Sequence, residues 1–218
     1  MSKQRFVFGS LLFACALIAQ AQQSADWRPN IAEDNKSATW ENTVAFLENT
    51  VVASGSSYPC NENACQSTSR VVSVDSPSSC TLNVRVENQY YWYSWHDHFR
   101  LQEGNISLNL SSVDPLSILV QPNPENIGHT PRVVMKGTNN GKIGESSECV
   151  VEGSKVAELR TAATTGCTDS KFKAKATPST EVKGISLSFP DVDTAHRVAR
   201  AFLHAALLCG GTKAVSPF

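Results

Sequence analysis

DVDTAHRVARAFLHAALLC, residues 191–209, is the stretch that decides the fold. Ala195, Val198, Ala199, Phe202, Ala206 and Cys209 recur at steps of three and four, so a helix here gathers them into one apolar stripe. His196, Arg197, Arg200 and His204 fall on or near the other side, as a solvated row. Pro190 suits an early helical position, and the Asp191 and Asp193 carboxylates suit the positive N-terminal end. Gly210 and Gly211 supply residues that tolerate a left-handed stop. Propensity alone barely holds such a segment in water, so it needs a sheet or a second helix to cover. Burying Val198 and Phe202 is worth about 1.5–3 kcal/mol each.

Working back from that helix, Thr39 is the expected N-cap of a first helix running from Trp40 to about Val52, with Trp40, Val44, Leu47 and Val51 as its stripe. Ser54-Gly55-Ser56-Ser57 is expected to end it. From residue 58 to about 181 the pattern changes to short alternating or β-branched runs divided by Gly, Pro, Asn and Ser. Expected strands are 70–75, 80–93, 99–103, 106–109, 117–121, 132–136 and 149–151, with further pieces at 171–176 and 184–189. Pro77-Ser78-Ser79 and Glu103-Gly104-Asn105 read as turns, and Asn139-Asn140-Gly141-Lys142 as a hairpin or loop. Residues 155–168 read as a short helix or a surface loop.

Without repeat or linker, residues 39–211 form one expected α+β domain, followed by a tail at 212–218. The expected layout is an N-terminal amphipathic helix, a curved antiparallel sheet of about seven strands, and a C-terminal helix packed on that sheet. Trp40-Glu41-Asn42-Thr43-Val44-Ala45-Phe46-Leu47 and Ala195-His196-Arg197-Val198-Ala199-Arg200-Ala201-Phe202-Leu203-His204-Ala205-Ala206 carry a resemblance. Together with the order of elements, they resemble uncharacterised exported bacterial proteins of pleckstrin-homology-like architecture. The resemblance implies a sheet closed by a terminal helix and transfers no activity and no catalytic residue. The basic first hairpin of intracellular lipid-binding members is missing, which argues against a phosphoinositide ligand.

Export is read from the start of the chain. Lys3 and Arg5 precede the apolar run Phe6 to Ala14, and Ala19-Gln20-Ala21 is a small-x-small cleavage pattern. Residues 1–21 are therefore expected to be a signal peptide, with delivery to the periplasm or beyond the cell, and 22–38 a flexible arm. A rival reading is a lipid anchor at Cys15, but the bulky Phe13 fits a lipobox poorly. The apolar run is too short for a stable membrane span. Cleavage leaves 17 basic and 20 acidic residues, a net charge of −3, and no reason to expect nucleic acid as a partner.

The mature chain keeps six cysteines, Cys60, Cys65, Cys80, Cys149, Cys167 and Cys209, an even number that reads as disulfides in an exported protein. Nearest-neighbour pairing joins Cys60 with Cys65 and Cys149 with Cys167, leaving Cys80 with Cys209 to staple the last helix to the sheet. No C-x-x-C pair is present, which argues against zinc, and no other cofactor is indicated.

The candidate ligand-binding stretch is aromatic. Tyr91, Trp92, Tyr93, Trp95, His96 and His98 lie within 90–99, and Tyr and Trp combine an apolar body with a polar tip as binding surfaces do. The same stretch also reads as plain strand residues running into a bend, since aromatics are common in sheets. His96 and His98 share a strand face and could hold a metal, although no third ligand is evident. No G-x-S-x-G elbow appears, and Gly137-Thr138-Asn139-Asn140-Gly141-Lys142 lacks the spacing of a phosphate loop. The reading is an exported binding domain for a protein or small-molecule partner, with no catalytic residue assigned. The alternatives are a metal-dependent enzyme or hydrolase centred on His96-Asp97-His98, and a structural envelope component that self-associates through a sheet edge.

Overall fold

In the computed structural model, Thr39 opens the first helix as its spacing predicts. Its Oγ1 accepts from the Asn42 N–H at 3.3 Å, and α1 runs Trp40–Val52. The structure describes residues 26–31, 38–52, 55–61, 65–92, 98–122, 130–153 and 175–210. For 55–61, 65–67, Trp92 and His98 only the backbone is described. Nine strands follow among these residues: β1 (Gly55–Asn61), β2 (Cys65–Ser78), β3 (Thr81–Trp92), β4 (His98–Asn109), β5 (Leu119–Gln121), β6 (Arg132–Lys136), β7 (Gly144–Gly153), β8 (Lys175–Val182) and β9 (Gly184–Ser188). The closing helix, α2, spans Val192–Leu208.

The strands make two antiparallel sheets rather than one sheet of about seven. The large sheet has the order β1-β2-β3-β4-β7-β8 and the small one β5-β6-β9. A single residue, Lys183, separates β8 from β9, so the chain steps between sheets there, and the Lys183 carbonyl accepts from the Gly137 N–H at 2.9 Å. The fold is thus α+β with two helices and antiparallel pairing throughout.

Alternation along β3 sets the layers. Leu82 and Val84 are buried and Val86 half-buried, all on the inner face, while Asn83, Arg85 and Glu87 point to the far face. The inner face meets Leu47 and Val51 of α1, Val133, Met135, Ile185 and Leu187 of the small sheet, and α2. The α2 stripe is as its spacing predicts: Ala195, Val198, Ala199, Phe202 and Ala206 are all buried. Asp191 caps the helix, its carboxylate accepting from the Thr194 N–H at 2.7 Å, and this holds its pKa below the ordinary carboxylate value. Gly210 takes the left-handed φ of 70° that stops it.

The tail of α2 is tied to the β2–β3 hairpin. Cys80, with a left-handed φ of 65°, forms the two-residue turn with Ser79 and is disulfide-bonded to Cys209, 129 residues away with Cα atoms 5.4 Å apart. Cys149 is also disulfide-bonded. Cys60 and Cys65 are described as backbone alone, and Cys167 lies outside the described residues.

Several local expectations are corrected. Glu103-Gly104-Asn105 is not a turn: β4 runs through it unbroken, because Gly104 pairs with Val86 on one side and Glu148 on the other. Ladder bonds on both flanks outweigh the local turn preference there. Gly55 starts β1 instead of trailing α1, β7 begins at Gly144, and Ser117 closes a 3-10 turn before β5. Pro190 precedes the Asp191 cap and so stands outside the helix. The loop signal at Asn139-Asn140 is confirmed by left-handed φ values of 54° and 55°.

His204 does not belong to a solvated row. It is buried, and its Nε2 lies 3.0 Å from the Ala38 carbonyl oxygen, so it fixes the entry to α1. His196 and Arg200 are also engaged, by Trp27 from the stretch expected to be a loose arm. Trp27 pairs with Val120 through two backbone hydrogen bonds of 2.9 and 2.7 Å, and its ring stacks on His196 at 4.0 Å. The Arg200 guanidinium stands 5.4 Å from the same ring centroid.

Candidate binding site on the far face of the large sheet

The far face of the large sheet grades from polar to charged to apolar along the strands, and the pairing register fixes each row. The first row runs Asp75, Asn83, Ser107 and Glu145 across β2, β3, β4 and β7. The second runs Ser73, Arg85, Asn105 and Ser147. Together with Ser179 of β8 these residues line an open groove of about 420 Å³, within the range of ligand sites. The strands are β-rich enough on the inner face (Leu82, Val84, Leu108) to fold, which frees the alternate positions for polar groups.

Part of the groove is pre-set. Asn83 Nδ2 donates to Asp75 Oδ2 at 3.1 Å. Glu145 accepts from Lys142 Nζ at 2.6 Å and from Ser179 Oγ at 3.2 Å. The Lys142 bond and charge hold the Glu145 carboxyl below its ordinary pKa, and Glu145 raises Lys142 in turn. Arg85, at the centre, has a buried Nε without a hydrogen-bond partner among the described residues.

Beyond the groove lies a charged row. Glu87 is buried, and its Oε1 accepts from Arg70 Nε at 2.8 Å and Gln89 Nε2 at 2.6 Å. Directly opposite is Glu103, also buried. Glu87 Oε2 and Glu103 Oε1 have no partner among the described residues. Farther along, Phe99, Leu101 and Val151 form a second buried cluster with Tyr91 packed against it. Gly153 pairs with Phe99 there and has no room for a side chain, because the Phe99 ring occupies that space.

No family model, curated protein or solved structure matches the chain.

The aromatic stretch falls elsewhere. The β3–β4 register sets Trp92 opposite His98, at the end of the hairpin away from the groove. Tyr93, Trp95 and His96 lie outside the described residues, as do the side chains of Trp92 and His98. Tyr91 is half-buried against the Phe99 cluster. Asn83 and Tyr91 are eight positions apart on one strand, about 26 Å at the rise of an extended chain, so groove and aromatic stretch are separate places. Among the described residues no group of three or more His, Cys, Asp or Glu could hold a metal, and no helix is long and apolar enough to cross a membrane.

The groove was missed in sequence reasoning although its signal was present. Thr81 to Glu87 alternates strictly, with Leu82, Val84 and Val86 against Asn83, Arg85 and Glu87. What sequence lacks is the cross-strand register that brings Asp75, Asn105, Ser107 and Ser147 beside them.

Proposed function

We infer that this chain is an exported, disulfide-stapled domain that works by binding, and that its ligand lies in the groove on the far face of the large sheet. The observation that carries the reading is the groove's lining of Asp75, Asn83, Arg85, Asn105, Ser107 and Ser147. Amide, hydroxyl, guanidinium and carboxylate groups standing side by side offer donors and acceptors in alternation. A hydroxyl-rich ligand such as an oligosaccharide matches that lining, since each sugar hydroxyl both donates and accepts. The Cys80–Cys209 bridge supports an oxidising compartment, in agreement with the basic and apolar start of the chain.

The pleckstrin-homology-like resemblance is supported by a terminal helix packed against antiparallel sheets. Self-association through the edge of the large sheet is the weaker reading, because the fully exposed part of β8 carries Lys175, Pro178 and Glu181, residues that blunt an edge. The test is titration of the oxidised mature protein with a panel of soluble neutral oligosaccharides, comparing wild type with Asn83→Ala and Asn105→Ala. Saturable binding weakened at least tenfold by either substitution supports the groove. Binding indifferent to both, or none across the panel, overturns it.

A further inference from the structure

We propose that the ligand of the groove on the far face of the large sheet carries a single acidic group, a carboxylate or a sulfate, and that Arg85 receives it. The proposal rests on the reading of that groove as a sugar site and names the class of sugar. Arg85 is the one cation among the described residues lining the groove. Alternation along β3 puts its side chain on that face with Asn83 and Glu87, because Leu82 and Val84 point into the core. The strand register sets Ser73 of β2 on one side of it and Asn105 of β4 on the other, with Ser147 of β7 next in line. All three are uncharged hydrogen-bonding groups. An oxyanion on the guanidinium therefore meets further donors, and no carboxylate, in that row.

Arg85 is not neutralised from within its own sheet. Its Nε has no hydrogen-bond partner and its guanidinium makes no ion pair among the described residues. The carboxylates around it are held by other groups or stand apart. Glu87, two residues along β3 on the same face, accepts from Arg70 and Gln89. Glu145 accepts from Lys142 and Ser179, and Asp75 from Asn83. Glu103 is buried in the row beyond, diagonal to Arg85, and does not pair with it. A half-buried guanidinium in this state prefers an oxyanion, which it meets with paired parallel hydrogen bonds.

The same carboxylates limit the ligand to one acidic group. Asp75 and Glu145 stand at the β2 and β7 ends of the neighbouring row, and both are exposed. They accept hydrogen bonds from sugar hydroxyls and repel a second acidic group placed beside the first. Strand spacing puts β2 and β7 about 14 Å apart, a span for a short oligosaccharide lying across the strands. A chain of acidic units is disfavoured by both ends of that span, whereas an otherwise neutral sugar with one acid suits its middle. Arg85 and Asn105 are strand partners, so the acid seat is fixed by the ladder rather than by a loop.

The test is calorimetric titration of the oxidised mature protein with pairs of sugars that differ by one acidic group. Xylotetraose is set against glucuronosyl-xylotriose and lactose against sulfated lactose, with tetragalacturonate as the polyanion. Wild type is compared with Arg85→Gln and with Asn105→Asp, which places a carboxylate beside Arg85 and keeps the guanidinium. The readout is the affinity of the acidic sugar divided by that of its neutral partner. In wild type the ratio is expected to be at least tenfold for one pair, to fall with added salt, and to exceed that of tetragalacturonate over xylotetraose. In both variants it is expected to fall to about one. The pair that shows the preference identifies the oxyanion as carboxylate or sulfate. Equal binding of neutral and acidic sugars by wild type, a ratio that survives both substitutions, or tightest binding of tetragalacturonate overturns the proposal and leaves the sugar site standing. Absence of saturable binding by every sugar overturns both.

Discussion

Glu87 and Glu103 stand directly opposite each other across β3 and β4, both buried and each with one carboxylate oxygen lacking a partner among the described residues. Like charges in that relationship oppose pairing of the strands. The two are not equivalent, because Glu87 alone anchors Arg70 and Gln89. Glu103→Gln should therefore leave stability unchanged or raise it by up to about 1 kcal/mol. Glu87→Gln should lower it by about 1–2 kcal/mol, the loss being limited because Arg70 remains half in water. Urea unfolding of the two variants checks this, and equal losses would contradict the assignment.

The Cys80–Cys209 bridge closes a loop spanning 129 residues. Constraint of the unfolded chain by a loop of this length is worth about 3–5 kcal/mol. Replacing both cysteines by serine should lower the melting temperature by roughly 10 °C at this chain size. The double variant avoids leaving a free thiol. Thermal unfolding by circular dichroism measures the shift, and a change of a degree or two would show that α2 is held by packing alone.

Packing of α2 is tested separately. Phe202 is fully buried in the main core, whereas Arg197 on the opposite side is exposed. Phe202→Ala should destabilise by about 3–5 kcal/mol, and Arg197→Ala by less than about 0.5 kcal/mol. Chemical denaturation distinguishes them, and similar small losses would contradict the placement of α2 against the sheets.

Docking of the segment around Trp27 should depend on pH. Burial first, and then the positive charge of Arg200, push His196 below the ordinary histidine pKa of 6.5, with Asp193 opposing. A depressed pKa means the folded state favours the neutral ring. The contribution to stability is thus complete above pH 6.5 and is lost as the pH falls through the lower folded value. Trp27 fluorescence should change over that acidic range, and His196→Phe should remove the change. A titration above pH 7, or one unaffected by the substitution, would contradict the stacking.

How far the fold was legible follows from which interactions are local. The α2 stripe, the Thr39 cap and the Gly210 stop are all set by residues within four positions, and each was readable. The unbroken β4 was not, because the pairing of Gly104 with Val86 and Glu148 joins residues far apart in the chain. Burial of His204 was hidden for the same reason: its partner is the Ala38 carbonyl, 166 residues earlier. The aromatic stretch drew attention through composition, whereas the groove emerges from cross-strand register among ordinary Asn, Ser and Asp residues.

Binding in that groove is tested most directly by nuclear magnetic resonance of the isotope-labelled mature protein, titrated with the neutral oligosaccharide panel. The expected result is shifts confined to Asp75, Asn83, Arg85, Asn105, Ser107 and Ser147, with Tyr91 and the Phe99 cluster unmoved. Shifts centred on the β3–β4 hairpin end near Trp92 instead, or no shifts with any sugar, would contradict it.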